Sequence, residues 1–262
     1  MDITTLLIAG SIAGTAAGLL GIGGGVIIVP VLSLVFAAEG IDPDILIKVA
    51  VGTSLATIVI TAITSIWTHH RKGAVDWSLA LIMTPGVILG SFVGAMIAHL
   101  MPGYWLSVAF VIFLLIVSIQ MVVGTLQGDH PLPGDWGLRA VSFIVGTISS
   151  LMGIGGGAMH VPYLSWCGIP VKRAIATAAT IGFPLALASA VGFIVTGYGL
   201  PNLPQYSFGY VNLPAFGGIV AASVLFAPLG ARLAHVLPDI ILKRFFGFFL
   251  FILALKMAYD LL

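Results

Sequence analysis

Two glycine knots dominate the residues that could do chemistry: Gly21-Ile22-Gly23-Gly24-Gly25 and Gly153-Ile154-Gly155-Gly156-Gly157. Three successive glycines at a helix start present backbone N–H groups that have no intrahelical acceptor. They sit at the positive end of the helix dipole, and no side chain blocks close approach. That is chemistry for holding an anion from main chain alone. A small oxyanion would accept hydrogen bonds from Gly23, Gly24 and Gly25 and from Gly155, Gly156 and Gly157. The competing reading is that the glycines only let helices pack closely, as small residues do in membrane proteins. Close packing asks for a glycine every fourth residue, not a dense cluster repeated twice, so the anion site is the stronger reading.

Hydroxyl and imidazole groups lie near the knots. Thr53-Ser54 and Thr177, early in the apolar segments that follow, offer further donors to an anion or bond back to their own helices, the common habit of Ser and Thr in membrane helices. His160 follows the second knot by three residues in an otherwise apolar run. A histidine there fits a proton carried alongside the substrate, since its pKa lies near neutrality, or a neutral ring bonded to a facing helix. His69-His70-Arg71-Lys72 reads as an interfacial anchor rather than a metal site. No convincing nucleophile with a paired base is present, so no catalytic residue is assigned and the chain is read as no enzyme. One cysteine, Cys167, allows no intrachain disulfide and no Cys-rich metal site, and no phosphate-binding loop exists; no metal or cofactor is expected.

The elements that must position these groups follow from composition. Of 262 residues, 60% are hydrophobic and only 7% charged, against about 25% charged in a soluble domain. The chain reads as an all-α polytopic membrane protein whose main partner is the lipid bilayer. A net charge of +1 offers no basic face for nucleic acid. No Lys or Arg precedes the first apolar run, so that segment is expected to stay in the mature protein rather than act as a cleaved signal.

Eight apolar stretches are expected, at 3–36, 46–68, 78–100, 104–126, 138–168, 172–198, 210–236 and 240–261. They fall into a first repeat over 1–126, a linker over 127–137 and a second repeat over 138–262. The halves echo each other in three blocks, in the same order. Gly14 to Gly25 recurs as Gly146 to Gly157, each followed by a proline, Pro30 and Pro162; Lys48 to Thr53 recurs as Lys172 to Thr177; Gly94-Ala95, Ala98-His99 and Pro102 recur as Gly230-Ala231, Ala234-His235 and Pro238. Transporters are often built from such repeats, with the substrate between them.

The first and fifth stretches exceed what a bilayer core of about 30 Å needs, and each carries its knot mid-way, where glycine weakens a helix by about 1 kcal/mol per residue. Each is therefore a broken helix or a re-entrant hairpin. The cations favour the hairpin. Folding both stretches back puts Arg71, Lys72, Arg139, Lys172, Arg173, Arg232, Lys243 and Arg244 on one side and only Lys48 and Lys256 on the other. The repeats are then inverted in the membrane, and both termini lie outside the cytoplasm. No carboxylate lies mid-stretch, so a pump's proton relay is missing and transport is secondary or passive.

The paired Gly-Ile-Gly-Gly-Gly knots with their prolines, then Val51-Gly-Thr-Ser-Leu55 and Gly73-Ala-Val-Asp-Trp77, resemble the sulfite exporter family of the TauE/SafE type over essentially the whole chain. The resemblance implies an inner-membrane transporter of sulfite, thiosulfate, sulfonates or related organosulfur anions, with the knots and neighbouring Thr and Ser positions facing the substrate. The second half departs from the first at Thr177-Ala178, where the first reads Thr53-Ser54, and at His160, where the first has Ile28. The expected function is secondary transport of a small sulfur-containing anion, by export, with a passive anion channel as the alternative. Across a potential of about 100 mV, negative inside, each exported negative charge gains about 2.3 kcal/mol.

Overall fold

Glycine density sets where the helices break. The computed structural model describes residues 3–20, 24–123, 128–236 and 239–261. Gly21, Ile22 and Gly23 of the first knot lie outside the described residues. Up to the first knot the chain is α1 (Ile3–Leu20), and from it runs α2 (Gly25–Ala38). At the second knot α6 (Asp135–Leu151) gives way to α7 (Gly157–Trp166). Between the two knots lie α3 (Pro43–Arg71), α4 (Trp77–Leu100) and α5 (Gly103–Val123); after the second come α8 (Val171–Gly197), α9 (Leu213–Val236) and α10 (Asp239–Asp260). Starts are marked by caps: Asp42 accepts from Asp44 N ahead of Pro43, and Asp76 accepts from Leu79 N. The helices α6–α10 thus follow α1–α5 in order and approximate length.

One feature departs from an all-helical reading. Ser207–Phe208 (β1) and Val211–Asn212 (β2) form a two-rung antiparallel hairpin, pairing Ser207 with Asn212 and Phe208 with Val211. The apolar stretch expected from 210 therefore begins as a strand, and its helix starts three residues later.

Small residues choose the helix partners. Along α4, a Cβ added at Gly86, Gly90 or Gly94 would strike the backbone carbonyls of Arg139, Phe143 and Thr147 of α6 in turn. The matching order makes the two helices parallel and in backbone contact. Ser150 Oγ donates to Ser91 O across the same seam at 2.9 Å. Likewise Gly10 of α1 meets Ile219 and Ala222 of α9, Gly14 meets Ser223, and Ser223 Oγ donates to Gly10 O at 3.3 Å. Each half's first helix thus packs along the other half's α4 or α9. α5 and α10 pair antiparallel, with Ser118 Oγ on Gly247 O at 2.8 Å and Tyr104 sharing a groove with Asp260.

The two ends of the bundle differ in charge. Where α3 ends and α4 and α8 begin stand Arg71, Lys72, Lys172 and Arg173, with Arg139 in the first turns of α6. At the opposite end, where α3 and α5 begin, stand Glu39, Asp42 and Asp44, with Lys256 and Asp260 paired nearby. Lys48 is buried there, its Nζ donating to His99 O at 3.0 Å, and His99 Nδ1 lies 3.1 Å from the Tyr210 hydroxyl.

All five tryptophans are exposed, and Trp67, Trp77, Trp136 and Trp166 cluster at the cationic end. Arg71 stacks over Trp67 and Arg139 over Trp136, while Trp77 Nε1 donates to His70 Nδ1 at 3.2 Å. Aromatic and basic residues at one level are what a membrane–water interface selects. Among the described residues, four helices, α3, α4, α5 and α8, are long and apolar enough to cross a bilayer. Their exposed faces, such as Ile112, Ile116 and Ile119 of α5, are apolar, as lipid requires.

Candidate functional site

The two knots meet backbone to backbone. Gly24 caps α2 in a left-handed conformation (φ 73°), and its carbonyl accepts from Ile27 N and Ile28 N at 3.0 Å. A Cβ on the adjacent Gly25 would lie 2.7 Å from Gly153 O and 3.0 Å from the Cα of Ile154. Gly153 itself has φ +67°, a conformation that favours glycine, and sits against Val29 and Val51. Ile154 is wholly buried, and its N–H donates to Ser149 O at 3.0 Å. Of the residues the sequence singles out, Gly24, Gly25, Gly153 and Ile154 therefore build the junction between the knots.

Gly155, Gly156 and Gly157 line a small cavity of about 30 Å³ with Ile58, Thr61, Ala62 and Ser65 of α3 and Ala178, Ala179 and Gly182 of α8. No main-chain acceptor for the N–H of Gly155 or Gly156 is found among the described residues. Gly157 opens α7, so its N–H has no intrahelical acceptor either. The α3 and α8 residues involved lie toward the ends that carry Arg71 and Lys172, so the cavity sits in the cationic half of the bundle.

Symmetry between the halves fails at this point. The alignment that pairs Lys48 with Lys172 pairs Ile58 with Gly182. Ile58 Cδ1 would be 2.8 Å from a Cβ on Gly25, so its side chain fills the space before the first knot. Gly182 has no side chain, and a Cβ there would meet only Gly156 N, at 3.6 Å. Before Gly25 the space is filled, and before Gly156 it is open on the α8 side.

Side chains near the second knot hold its carbonyls. Ser54 Oγ donates to Gly153 O at 2.8 Å. His160 is wholly buried; both its backbone N–H and its Nδ1 reach Gly156 O at 2.9 Å. A carbonyl can only accept, so Nδ1 carries the proton, and Nε2 is an acceptor with no donor among the described residues. Gly153 O and Gly156 O are both engaged, while the N–H groups of Gly155, Gly156 and Gly157 have no main-chain acceptor among the described residues.

Thr53 and Thr177 have other partners. Both are fully buried, and neither lines the cavity. Thr53 Oγ accepts from Asn212 N at 2.9 Å, and Thr177 Oγ accepts from Asp76 N at 3.1 Å. Asn212 and Asp76 cap α9 and α4 through Ala215 N and Leu79 N. Each threonine thus ties a long helix to the N-terminus of a helix well away in sequence.

Residues the sequence did not single out complete the cavity: Ile58, Thr61, Ala62 and Ser65, spaced one helical turn apart along α3, and Ala178, Ala179 and Gly182 on α8. Their spacing is visible in the sequence, but every helix of this apolar chain offers such stripes.

Comparison with known proteins agrees over nearly the full length. The family model described as Sulfite exporter TauE/SafE matches residues 6–257. A probable membrane transporter protein of Haemophilus influenzae is 37% identical over 253 residues, covering 96% of each chain. The probable membrane transporter protein YunE of Bacillus subtilis is 31% identical, over 80% of this chain and 86% of its own. One from Methanocaldococcus jannaschii is 32% identical over 80% of this chain and 78% of its own.

Proposed function

The chain belongs to the sulfite exporter TauE/SafE family of membrane transporters, and from that premise we propose that it carries a small sulfur-containing anion out of the cell across the cytoplasmic membrane. The anion is held where the glycine knots meet, by the backbone N–H groups of Gly155, Gly156 and Gly157, with Gly24 and Gly25 closing the junction behind. The observation that carries this reading is the cavity before the second knot, which those three glycines line and Gly182 leaves open. With no Lys, Arg or His among the described residues of its lining, the site relies on oriented peptide dipoles. The membrane potential drives an exported negative charge outward.

The scaffold is read as two inverted repeats, each beginning with a re-entrant hairpin. For the second repeat, this is supported by Gly128 N donating to Ser165 O at 3.3 Å and His130 N to Trp166 O at 3.4 Å. The segment leading to α6 and the end of α7 are thus at one level. For the first repeat, support comes from the parallel course of α1 and α9, with α2 running back to the start of α3. In this topology the cationic end with its tryptophans faces the cytoplasm and the termini face outward. Cysteines introduced at Ile3 and Gly40 in a Cys167→Ala background are expected to react with an impermeant maleimide from the same, external side. Labelling from opposite sides would mean that α1 and α2 together make a full crossing.

Transport itself is tested in proteoliposomes. Sulfite efflux is expected to saturate and to accelerate when sulfite is present on the opposite side. Linear flux without such stimulation would indicate a channel instead.

A further inference from the structure

At the end of the bundle opposite the cationic one, the two halves differ again. Aligning Gly94 with Gly230 pairs Asp76 with Asn212 and Ala74 with Tyr210. The N–H of Asp76 docks on Thr177 Oγ and that of Asn212 on Thr53 Oγ, so both connections seat alike on the other half. What they bring in is unlike. Residues 72–76 pass from α3 to α4 with only the Ala74 methyl, whereas residues 198–212 carry the β1–β2 hairpin and the Tyr210 ring.

Tyr210 is 2% exposed and stands among three helices. A Cβ on Gly52 of α3 or on Gly197 of α8 would strike its backbone, each at 2.6 Å. Its ring meets Phe193 of α8 edge-on, its N–H donates to Phe193 O at 3.2 Å, and its hydroxyl hydrogen-bonds with His99 of α4. Along α3, Gly52 is flanked by Val51 and Thr53, and both Val51 and Ser54 touch Gly153 of the second knot. The ring therefore fills the way outward from the junction of the knots.

The hairpin is built on α9 rather than on that wall. Asn212 caps α9 through Ala215 N, and its Nδ2 donates to Gln205 O and Ser207 Oγ, both at 3.2 Å. Hairpin and helix start thus form one piece, and α9 packs along α1. The chain leading to this piece holds Asn202 at φ 67° and Tyr206 at φ 60°, a region that non-glycine residues keep only when held there. Tyr206 is held by Leu213 N, which donates to its carbonyl at 3.1 Å.

Resting on the reading of the chain as a carrier with its anion at the second knot, we propose that Tyr210 is the plug of an outer gate. The 207–212 hairpin lifts with the start of α9 to open the path outward, and relaxation at Asn202 and Tyr206 favours the lift. The bond between Tyr210 and His99 is the latch that keeps the gate closed.

The test places a reporter under the hairpin. Thr53→Cys in a Cys167→Ala background keeps the side chain's size beneath Asn212 N, and should react slowly with an impermeant methanethiosulfonate added outside. Adding Tyr210→Phe, which removes the latch and keeps the ring, is expected to raise that rate several-fold, the loss of one neutral hydrogen bond. His99→Ala is expected to do the same, and the two together to be no faster than either alone, since both remove one bond. Complete labelling is expected to stop sulfite exchange in proteoliposomes, measured on the same protein before and after the reagent. A rate unchanged by Tyr210→Phe, additive effects of the two substitutions, or exchange that survives labelling would overturn the gate while sparing the transport reading. Absence of sulfite exchange in the Cys167→Ala protein would overturn both.

Discussion

Gly182→Val is expected to abolish anion flux while leaving the protein folded. Gly182 sits on α8 facing the open knot, and a Cβ there would meet only Gly156 N, at ordinary contact distance. The Cβ itself is admitted without a shift. The helix gains slightly, because valine is a better helix former than glycine. The valine methyls, however, would occupy the space in front of the Gly156 N–H and bar an oxyanion from it. A hydrogen bond to a charged group contributes about 1.5–3 kcal/mol, so its loss alone lowers affinity by roughly 10- to 150-fold, before the steric exclusion of the anion is counted. Flux in proteoliposomes should fall to background, and the thermal unfolding midpoint should stay within a few degrees of the wild type. This variant is cleaner than one at Gly156, where a Cβ would press on His160 Nδ1 at 2.8 Å, or at Gly153, where φ is positive.

Gly90→Leu is expected to prevent folding altogether. In α4 this glycine lies against the carbonyl of Phe143, closer than any Cβ can approach a backbone atom. The α4–α6 seam is backbone on backbone over two turns, with Gly86 and Gly94 on either side, so there is no flexible side chain to yield. The helices must separate, breaking the bond from Ser150 to Ser91 O and exposing α6 along its length. Overpacking costs about 1–3 kcal/mol where a core can adjust, and this seam cannot. Detergent-solubilised Gly90→Leu should elute as aggregate. Gly217→Leu on α9, where nothing lies within 4 Å, should elute like the wild type. A monodisperse Gly90→Leu would mean that the seam is not close-packed.

The two expectations draw on parts of the chain that were unequally legible. Helix breaks at the knots could be read from glycine density and from stretches too long for one crossing, and α1–α2 and α6–α7 are divided there. The helix partners could not. The glycines at 86, 90 and 94 announce a close-packed face, but only the folded chain brings Arg139, Phe143 and Thr147 to it. The short hairpin at 207–212 was hidden because two residues per strand leave no alternation to see.

The site divided along similar lines. Gly155, Gly156 and Gly157 follow from local sequence, since a glycine run before a helix exposes N–H groups wherever it folds. Thr53 and Thr177 drew notice as hydroxyls near the knots, but their partners lie 159 and 101 residues away in the chain, at Asn212 and Asp76. Ser65 is one hydroxyl among many along these helices, and Gly182 carries no signal of its own, because the cavity arises where the two halves differ, Ile58 in one and Gly182 in the other. His160, another departure between the halves, also bears on the open knot, through Gly156 O.

The central claim is that main-chain N–H groups of the second knot bind the transported anion. It is tested most directly by titrating ¹⁵N-glycine-labelled protein in nanodiscs with sulfite and following the assigned amide resonances. The amides of Gly155, Gly156 and Gly157 should shift saturably with sulfite, and in Gly182→Val they should not respond. Saturable binding that leaves these three amides unmoved and shifts glycines elsewhere would contradict the account.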